Sequence, residues 1–280
     1  MKLSQIAIET TCFKKVCPDL MYEAVSKTGV KKLEFYAGAP LFCHYESLPV
    51  TAEELKEMTD HVSVKLAEYG MTIAALAPQS TDYEINIASD VDTIREKSIR
   101  YFIGYLNDLK ALGCDRMTMT TGWGYYDQDV APAWERAVDS VKKIATEAEK
   151  LGVTILLRPV WKFGTNIVND IPSMKKMIEE VDCPAVKISL DIGGLDEGES
   201  ITDYFKTFGK DMIGYVRFSN FTATGQITDG SGVEGAKAVF DELDANGYEG
   251  DAGLEMNYEH TEDPAKYIAD AVANLKTICE

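Results

Sequence analysis

Charged side chains stand at or near the ends of several apolar, strand-like segments. The clearest is Arg158, which follows the apolar run "TILL" at residues 154–157. Similar segments carry Glu9, Asp191, Arg217 and Glu255. A carboxylate can take a proton from a carbon beside a carbonyl, and a guanidinium group binds carboxylates and phosphates through paired hydrogen bonds. These residue types therefore indicate proton-transfer chemistry on a small polar or anionic molecule, provided that the fold gathers the strand ends.

Strand-like and helix-like patterns alternate along the whole chain, and this alternation supplies the elements that would position those residues. Eight such units follow one another without a linker or a change in composition, which predicts one (β/α)8 TIM barrel domain spanning residues 1–280. The predicted strands are Ser4–Glu9, Lys32–Tyr36, Thr72–Ala77, Arg116–Thr121, Thr154–Arg158, Val186–Asp191, Tyr215–Ser219 and Gly253–Asn257.

The segment from Pro132 to Gly152 shows the helical pattern most clearly. Pro132 suits a first helical position, an apolar stripe with helical spacing follows, and Gly152 ends it. A doubly wound open sheet is the alternative to a barrel, but it would normally carry a glycine-rich phosphate loop after the first strand. The corresponding segment here, "ETTCFKKVCP", contains no glycine, which disfavours the open sheet.

Alternation within the strands predicts a polar barrel lumen. In "KISLD", Ile188 and Leu190 share one face while Asp191 lies on the other, and "YVRFS" places Arg217 opposite its apolar residues in the same way. We expect the apolar faces to meet the helices and the polar faces to line the lumen, with Glu34 deeper than the residues at the strand ends. Barrel enzymes keep their active sites at the carboxyl ends of the strands.

Taken together, these segments resemble the xylose-isomerase-like barrels, a superfamily of sugar and sugar-phosphate isomerases and epimerases. The resemblance covers essentially the whole chain. It is carried by "KKLEFY", "TILLRPV", "VKISLDIGGL", "GYVRFSN", "DGSGV" and "GLEM". It implies one divalent metal held by a Glu on strand five, an Asp ending strand six, a His on strand seven and a Glu on strand eight. It also implies that the two glutamates act as an acid–base pair.

Carried over residue by residue, the resemblance retains only half of that metal set. Asp191 and Glu255 match, whereas Arg158 and Arg217 occupy the glutamate and histidine positions. A guanidinium group offers no lone pair while it stays protonated, and two arginines repel a dication. We therefore expect no metal and no other cofactor, and we expect the arginines to pair with Asp191 and Glu255.

Two interpretations of this site remain open. In the first, the protein is an isomerase or epimerase of a small sugar, sugar phosphate or sugar acid, with Glu255, Arg158 and Asp191 catalytic and with Arg217 and Glu34 binding substrate. In the second, the arginines only neutralise the carboxylates, and the barrel is a non-catalytic protein that binds a carbohydrate or anion or serves as a partner subunit. An open pocket with a perturbed carboxylate would favour catalysis.

Residues in the predicted loops at the same end of the barrel supply further candidates for binding substrate. The aromatic side chains of Trp123 and Trp161 could stack on a sugar ring, and Lys162 could bind an anion. His44 and His260 could act as acid or base, although a solvated loop residue is the simpler interpretation of each. A zinc site formed by Cys12, Cys17, Cys43 and His44 is disfavoured by the irregular spacing.

The overall charge limits the partners. Lysine and arginine total 28 against 46 acidic residues, a formal net charge of −18, which opposes binding to nucleic acid or to an anionic membrane. With three histidines in all, the chain also lacks the ligands of a metal-dependent DNA-repair endonuclease. Six scattered cysteines and no secretory leader or spanning segment predict free thiols and a cytoplasmic location. Pairing into a homodimer is a further expectation.

Overall fold

The computed structural model describes residues 1–38, 41–42, 51–80, 84–256 and 262–279. In these ranges eight parallel strands close into a barrel, in the order β1-β10-β7-β6-β5-β4-β3-β2, which confirms the predicted TIM barrel. The barrel strands are β1 (Ile6–Glu9), β2 (Lys32–Ala37), β3 (Thr72–Pro78), β4 (Arg116–Met119), β5 (Thr154–Leu157), β6 (Val186–Asp191), β7 (Ile213–Ser219) and β10 (Ala252–Glu255).

An α-helix follows each barrel strand in the described part of the chain. The helices are α1 (Pro18–Thr28), α2 (Ala52–Tyr69), α3 (Asp92–Ala111), α4 (Ala131–Leu151), α5 (Ile171–Val181), α6 (Ile201–Phe208), α7 (Val233–Ala245) and α8 (Pro264–Leu275). A two-stranded antiparallel hairpin, β8 (Phe221–Thr222) and β9 (Gly225–Gln226), lies between β7 and α7.

Helix α4 shows how the sequence sets the helix boundaries. Proline in the first turn needs no backbone N–H partner there, and Gly152 ends the helix in the left-handed region at φ 63°. The buried residues of α4 form the stripe that the sequence predicted and include Trp134, Val138 and Val141. This stripe packs the helix against the barrel wall.

Apolar side chains form two separate layers. The large outer core lies between strands and helices and contains the outward-facing residues of each strand, such as Leu33, Ile188 and Leu254. Inside the barrel a much smaller cluster is formed by Ala7, Ala74, Ala75, Leu156 and Tyr215. Most of the remaining lumen is therefore available to the polar side chains, which alternate along each strand with the outward-facing apolar residues.

The strand ends differ slightly from the prediction. Residues 3–5 form a short 3-10 turn, so β1 begins at Ile6 rather than Ser4, and β4 ends at Met119 rather than Thr121. Strand β5 ends at Leu157, but the backbone N–H of Arg158 still donates to the carbonyl of Met119 at 2.9 Å. This bond continues the strand geometry by one residue and keeps the Arg158 side chain on the lumen side.

Two findings concern membrane-spanning helices and disulfide bonds. None of the helices described here has the length and apolar content required to cross a bilayer. The five cysteines in the described ranges, including Cys12 and Cys17, form no disulfide.

Candidate active site

Strand register brings charged residues together at the carboxyl end of the barrel. Glu9 on β1 lies beside Glu34 on β2, and Asp191 on β6 lies beside Arg217 on β7. Because side chains alternate across a strand, residues in register on neighbouring strands point into the lumen together. The sequence alone predicted which residues face inward, and the register decides which of them become neighbours.

Arg217 is the centre of this charged group. Its Nε lies 2.9 Å from Glu34 Oε1, and its Nη2 lies 3.4 Å from Glu255 Oε1 and 3.9 Å from Glu9 Oε1. The Nε–H is not aligned with the Glu34 oxygen and has no hydrogen-bond partner. Arg217 therefore lies beside Glu255, as expected, but it also faces Glu9 and Glu34. One guanidinium group thus meets three carboxylates from three strands.

Arg158 is held much less tightly. Its nearest carboxylate oxygen is Asp191 Oδ2, 3.6 Å from Nη1, which is too long for a hydrogen bond, and this oxygen is itself buried without a hydrogen-bond partner. The Arg158 side chain is 15% exposed, against 8% for Arg217. Its donors make no side-chain hydrogen bond within the described ranges, so they can bind a molecule that enters the lumen.

The carboxylates outnumber the guanidinium groups, which governs the protonation of the site. Burial raises the pKa of Glu9 to about 7 against the opposing attraction of Arg217. Burial also raises the pKa of Glu34 and of Asp191, with both arginines opposing the shift. Burial alone would lower the pKa of Arg217, but the surrounding carboxylates, Glu34 most strongly, hold it well above its ordinary value. The site therefore retains protons on carboxyl groups at near-neutral pH.

Tyr215 and Gly253 contact the charged group through Glu34. The buried Tyr215 hydroxyl donates to Glu34 Oε2 at 3.3 Å. Gly253 on β10 faces both groups, and a Cβ at this position would collide with the Glu34 carboxyl and the Tyr215 hydroxyl. A glycine is therefore required here, because the backbone of β10 approaches the Glu34 side chain closely.

A cavity of about 170 Å³ opens above this group. Its lining includes Glu9, Glu34, Arg158, Arg217, Glu255, Thr11, Tyr36, Thr118 and Trp161. The Glu255 side chain is 32% exposed, far more than that of Glu9 or Glu34. Glu255 is thus the carboxylate most accessible to a molecule in the cavity, and it lies beside a guanidinium group.

Other predicted substrate-binding residues lie apart from this cavity. Trp123 lines a second, smaller cavity with Asn86, Tyr125 and Arg136. Lys162 is largely exposed, and its Nζ pairs with Asp196 at 2.8 Å. Of these three predicted residues, only Trp161 therefore lines the cavity above the charged group. Asp191 borders the site through Arg158 but does not line the cavity.

The predicted loop histidines His44 and His260 lie outside the described residues, as does Cys43. Of the remaining members of the disfavoured zinc cluster, Cys12 is buried, and burial raises the pKa of its thiol well above the ordinary value. Cys17 is exposed.

Glu9 is the residue whose place in the site the sequence did not reveal. The alternation of β1 placed it inward, but nothing in the sequence gave it a partner or a role. Its register with Glu34 and its proximity to Arg217 make it part of the same charged group. The only available signal was its position as the last residue of the first strand.

The residues at the positions implied for a metal do not fit a divalent cation. Of the four, only Asp191 and Glu255 offer oxygen lone pairs, and each has a guanidinium nitrogen within 3.6 Å. Across the described ranges, no three histidine, cysteine or acidic side chains are placed to hold a metal ion. A dication beside two arginines and only two ligands from the protein would be poorly coordinated and repelled.

Known proteins similar to this chain include several sugar epimerases. 3-Dehydro-D-guloside 4-epimerase of Escherichia coli K12 is 20% identical over 242 residues, which cover 83% of this chain and 90% of that protein. Fructoselysine 3-epimerase of Shigella flexneri is 18% identical over 260 residues, covering 92% of this chain and 91% of that protein. These identities are low, but both similarities extend over nearly the full length of the relatives.

The solved structures and the family models agree on the fold. The structure of D-psicose 3-epimerase with D-tagatose from Clostridium cellulolyticum superposes with a TM-score of 0.75 at 19% identity, covering 98% of this chain and 97% of that chain. The family model described as xylose isomerase-like TIM barrel matches residues 22–278. The chain therefore belongs to the xylose isomerase-like TIM barrel family.

Proposed function

We propose that the protein is an isomerase or epimerase that moves a proton at a carbon beside the carbonyl of a small sugar, sugar phosphate or sugar acid, without a divalent metal. The observation that carries this proposal is the pairing, in one cavity, of an accessible carboxylate with an arginine whose side chain makes no hydrogen bond to any described residue. The carboxylate is Glu255 and the arginine is Arg158. The sugar epimerases among the relatives support the reaction class.

Glu255 is the proposed base. Its carboxylate lines the cavity, and its Oε1 lies 3.4 Å from Arg217 Nη2. A carboxylate in this position can remove the proton beside a carbonyl and return it to the same or a neighbouring carbon.

Arg158 is the proposed electrophile. Its guanidinium can donate two hydrogen bonds to the carbonyl oxygen or to a carboxylate or phosphate of the substrate. Stabilising the enediolate oxygen in this way is the task that a metal would otherwise perform. Asp191, which faces Arg158 Nη1 at 3.6 Å, orients that guanidinium from the side away from the cavity.

Trp161 is the remaining cavity residue with a proposed binding role. Its ring lines the cavity, is 40% exposed and lies beside Phe163, with ring centroids 5.2 Å apart. An exposed indole at the rim can stack on the apolar face of a sugar ring.

Hydrogen exchange with solvent tests the proposed function directly. The protein is incubated in D2O with a chelator and a panel of D-fructose, D-psicose, D-tagatose, D-fructose 6-phosphate and D-glucuronate, and deuterium incorporation and product formation are followed by mass spectrometry and NMR. We expect exchange into at least one sugar at a carbon beside the carbonyl, and loss of that exchange in Glu255→Gln.

The same panel distinguishes the alternatives. Exchange that appears only after Mn2+ or Mg2+ is added would contradict the metal-independent mechanism. Thermal stabilisation by a sugar that never exchanges hydrogen would favour a non-catalytic binding barrel. We further expect Arg158→Glu combined with Arg217→His to acquire affinity for Mn2+ in calorimetric titration, whereas the wild-type protein shows none.

A further inference from the structure

Glu9 has two carboxyl oxygens in very different environments. Oε1 accepts hydrogen bonds from the backbone N–H of Thr11, at 3.0 Å, and from the Thr11 hydroxyl. Oε2 is buried without a hydrogen-bond partner. The whole residue is 1% exposed and lines the cavity. One oxygen is therefore held in place by two donors, and the other is left for a molecule in the cavity.

This asymmetry decides where a proton on Glu9 would sit. Oε1 already accepts two hydrogen bonds, so the proton of a neutral Glu9 belongs on Oε2. A buried O–H without an acceptor is costly, as is a buried oxygen without a donor, and either cost is removed when a ligand oxygen binds there. A carbonyl or hydroxyl oxygen of a sugar is a suitable partner.

The surroundings favour the protonated form of Glu9 at near-neutral pH. Burial raises its pKa to about 7, and the charges of Glu34 and Glu255 act in the same direction. Arg217, with Nη2 at 3.9 Å from Oε1, and the Thr11 hydroxyl oppose them. Cys12 lies below, where its thiol faces the Glu9 carbonyl. A group titrating near the operating pH is suited to proton transfer.

The other buried carboxyl groups are less suited to this task. In Glu34, Oε2 accepts from the Tyr215 hydroxyl and Oε1 lies 2.9 Å from Arg217, so neither oxygen is unused. In Asp191, Oδ2 has no hydrogen-bond partner, but the residue does not line the cavity. Among the buried carboxyl groups of the site that the structure describes, Glu9 alone combines an oxygen without a hydrogen-bond partner with access to the cavity.

We propose that Glu9 is the general acid of the site, with its Oε2 proton donated to the substrate carbonyl oxygen as Glu255 removes a proton from the adjacent carbon. This inference rests on the proposed function. The electron pair of the C–H bond becomes the carbon–carbon double bond, and the carbonyl π electrons move to oxygen, which takes the Glu9 proton. The products are an enediol, a protonated Glu255 and an ionised Glu9. Glu255 then delivers its proton to the neighbouring carbon or to the opposite face of the same carbon, and a hydroxyl group of the enediol returns a proton to Glu9. The reaction needs no oxidant or reductant.

The first test uses Glu9→Gln, which keeps the shape and the acceptor for Thr11 but cannot transfer a proton. With the sugar of the panel that exchanges fastest, we expect deuterium exchange to fall about 100-fold. Wild-type exchange should decline as the pH rises above 7, where Glu9 loses its proton, and this decline should be absent in the variant. Glu135→Gln, on the exposed surface of α4, is the matched control and should behave as wild type.

The second test does not depend on a substrate. Difference infrared spectroscopy of wild type against Glu9→Gln should show a carboxylic acid band that disappears with a midpoint near pH 7. In Thr11→Val the midpoint should rise, because the Thr11 hydroxyl lowers the pKa of Glu9. A Glu9 that is already ionised at pH 6 would overturn the proposal.

The two tests separate the failure of this inference from the failure of the proposed function. Loss of exchange in Glu255→Gln, together with wild-type exchange and an unchanged pH profile in Glu9→Gln, would overturn the role of Glu9 alone. Absence of exchange into every sugar of the panel would overturn the proposed function and, with it, any catalytic role for Glu9. Thermal unfolding of each variant shows whether its fold is intact.

Discussion

The two ends of the barrel lumen contain the same kinds of side chain in very different states. At the amino end, Asp251 binds Lys32 through Oδ1 and Arg116 through Oδ2, with 2.6 Å between Arg116 Nη2 and Oδ2. The Arg116 guanidinium also lies 6.0 Å from the centre of the Tyr215 ring. At the carboxyl end, four carboxylates face two arginines, and Glu9, Asp191 and Arg217 each retain a buried atom without a hydrogen bond.

This difference shows how to tell a structural ion pair from a reactive one. The lower cluster, formed by Lys32, Arg116 and Asp251, leaves neither carboxylate oxygen without a cation. The upper cluster, formed by Glu9, Glu34, Arg158, Asp191, Arg217 and Glu255, has an excess of acid and opens to a cavity. Buried groups left without partners are costly in a folded protein, and they are typical of functional sites.

Replacing one carboxylate by its amide at each end of the lumen should separate an effect on hydrogen exchange from an effect on stability. We expect Glu255→Gln to lower hydrogen exchange by about 1000-fold, because the base is removed, while the unfolding free energy stays nearly unchanged. We expect Asp251→Asn to lower the unfolding free energy by about 2 kcal/mol, because two cations lose their carboxylate, while exchange stays within about 2-fold of wild type. Exchange assays and urea unfolding on the same preparations measure both effects. A large loss of exchange in Asp251→Asn would remove the distinction between the clusters.

Within the upper cluster, the two arginines should differ in their contribution to stability. Arg217→Met leaves the buried Glu9 and Glu34 and the partly exposed Glu255 without their cation, and we expect a loss of about 3 kcal/mol at pH 8. The loss should be smaller at pH 5, below the pKa of about 7 of Glu9, because a protonated Glu9 no longer needs the cation. Arg158→Met should cost about 1 kcal/mol, since its nearest carboxylate oxygen is 3.6 Å away. Urea unfolding at both pH values measures this, and equal losses would show that Arg158 is also a structural residue.

The fold could be predicted from the sequence because its signals are local. Each helix has an apolar stripe, a start and an end of its own, as in α4 with Pro132 and Gly152. Each strand shows an alternation of apolar and polar residues, which predicts the side chains that face the lumen. The boundaries were less certain at residues 3–5 and 120–121, where short-range hydrogen bonds, such as that from Gln5 N–H to the Lys2 carbonyl, replace strand pairing.

The composition of the site could be predicted only in part. The alternation along each strand, together with the positions of the strand ends, predicted that Arg158, Asp191, Arg217 and Glu255 lie at one end of the lumen. The sequence contained no information on register, so it could not show that Glu9 and Glu34 share Arg217 with Glu255. The positions of loop residues were harder to predict, because the direction of a loop depends on tertiary packing. Trp123, for example, lines a different cavity from Trp161.

The buried carboxyl group of Glu9 in the upper cluster should make the stability of the protein depend on pH. Folded Glu9 keeps its proton up to a pKa of about 7, whereas the unfolded chain releases it near 4.5, so the folded state binds more protons between these values. The unfolding free energy of wild type should therefore fall as the pH rises from 4.5 to 7. In Glu9→Gln this contribution is absent, and the difference between the two proteins should change by about 3 kcal/mol across the window.

Urea unfolding at four pH values between 4.5 and 7.5 measures this difference. The control Glu135→Gln should follow the wild-type curve throughout, because its side chain is exposed in α4. Parallel curves for wild type and Glu9→Gln would show that Glu9 is not protonated in the folded protein.

The smallest expected effect tests whether the lower cluster is indeed redundant in positive charge. In Lys32→Met, Arg116 still pairs with Asp251 Oδ2 at 2.6 Å, so the carboxylate keeps one strong partner. The Lys32 side chain is also 33% exposed, and solvent therefore screens much of its attraction to Asp251. We expect a loss of about 0.5 kcal/mol in urea unfolding and no change in hydrogen exchange. A loss as large as that of Asp251→Asn would mean that Asp251 needs both cations and that the lower cluster has no redundant positive charge.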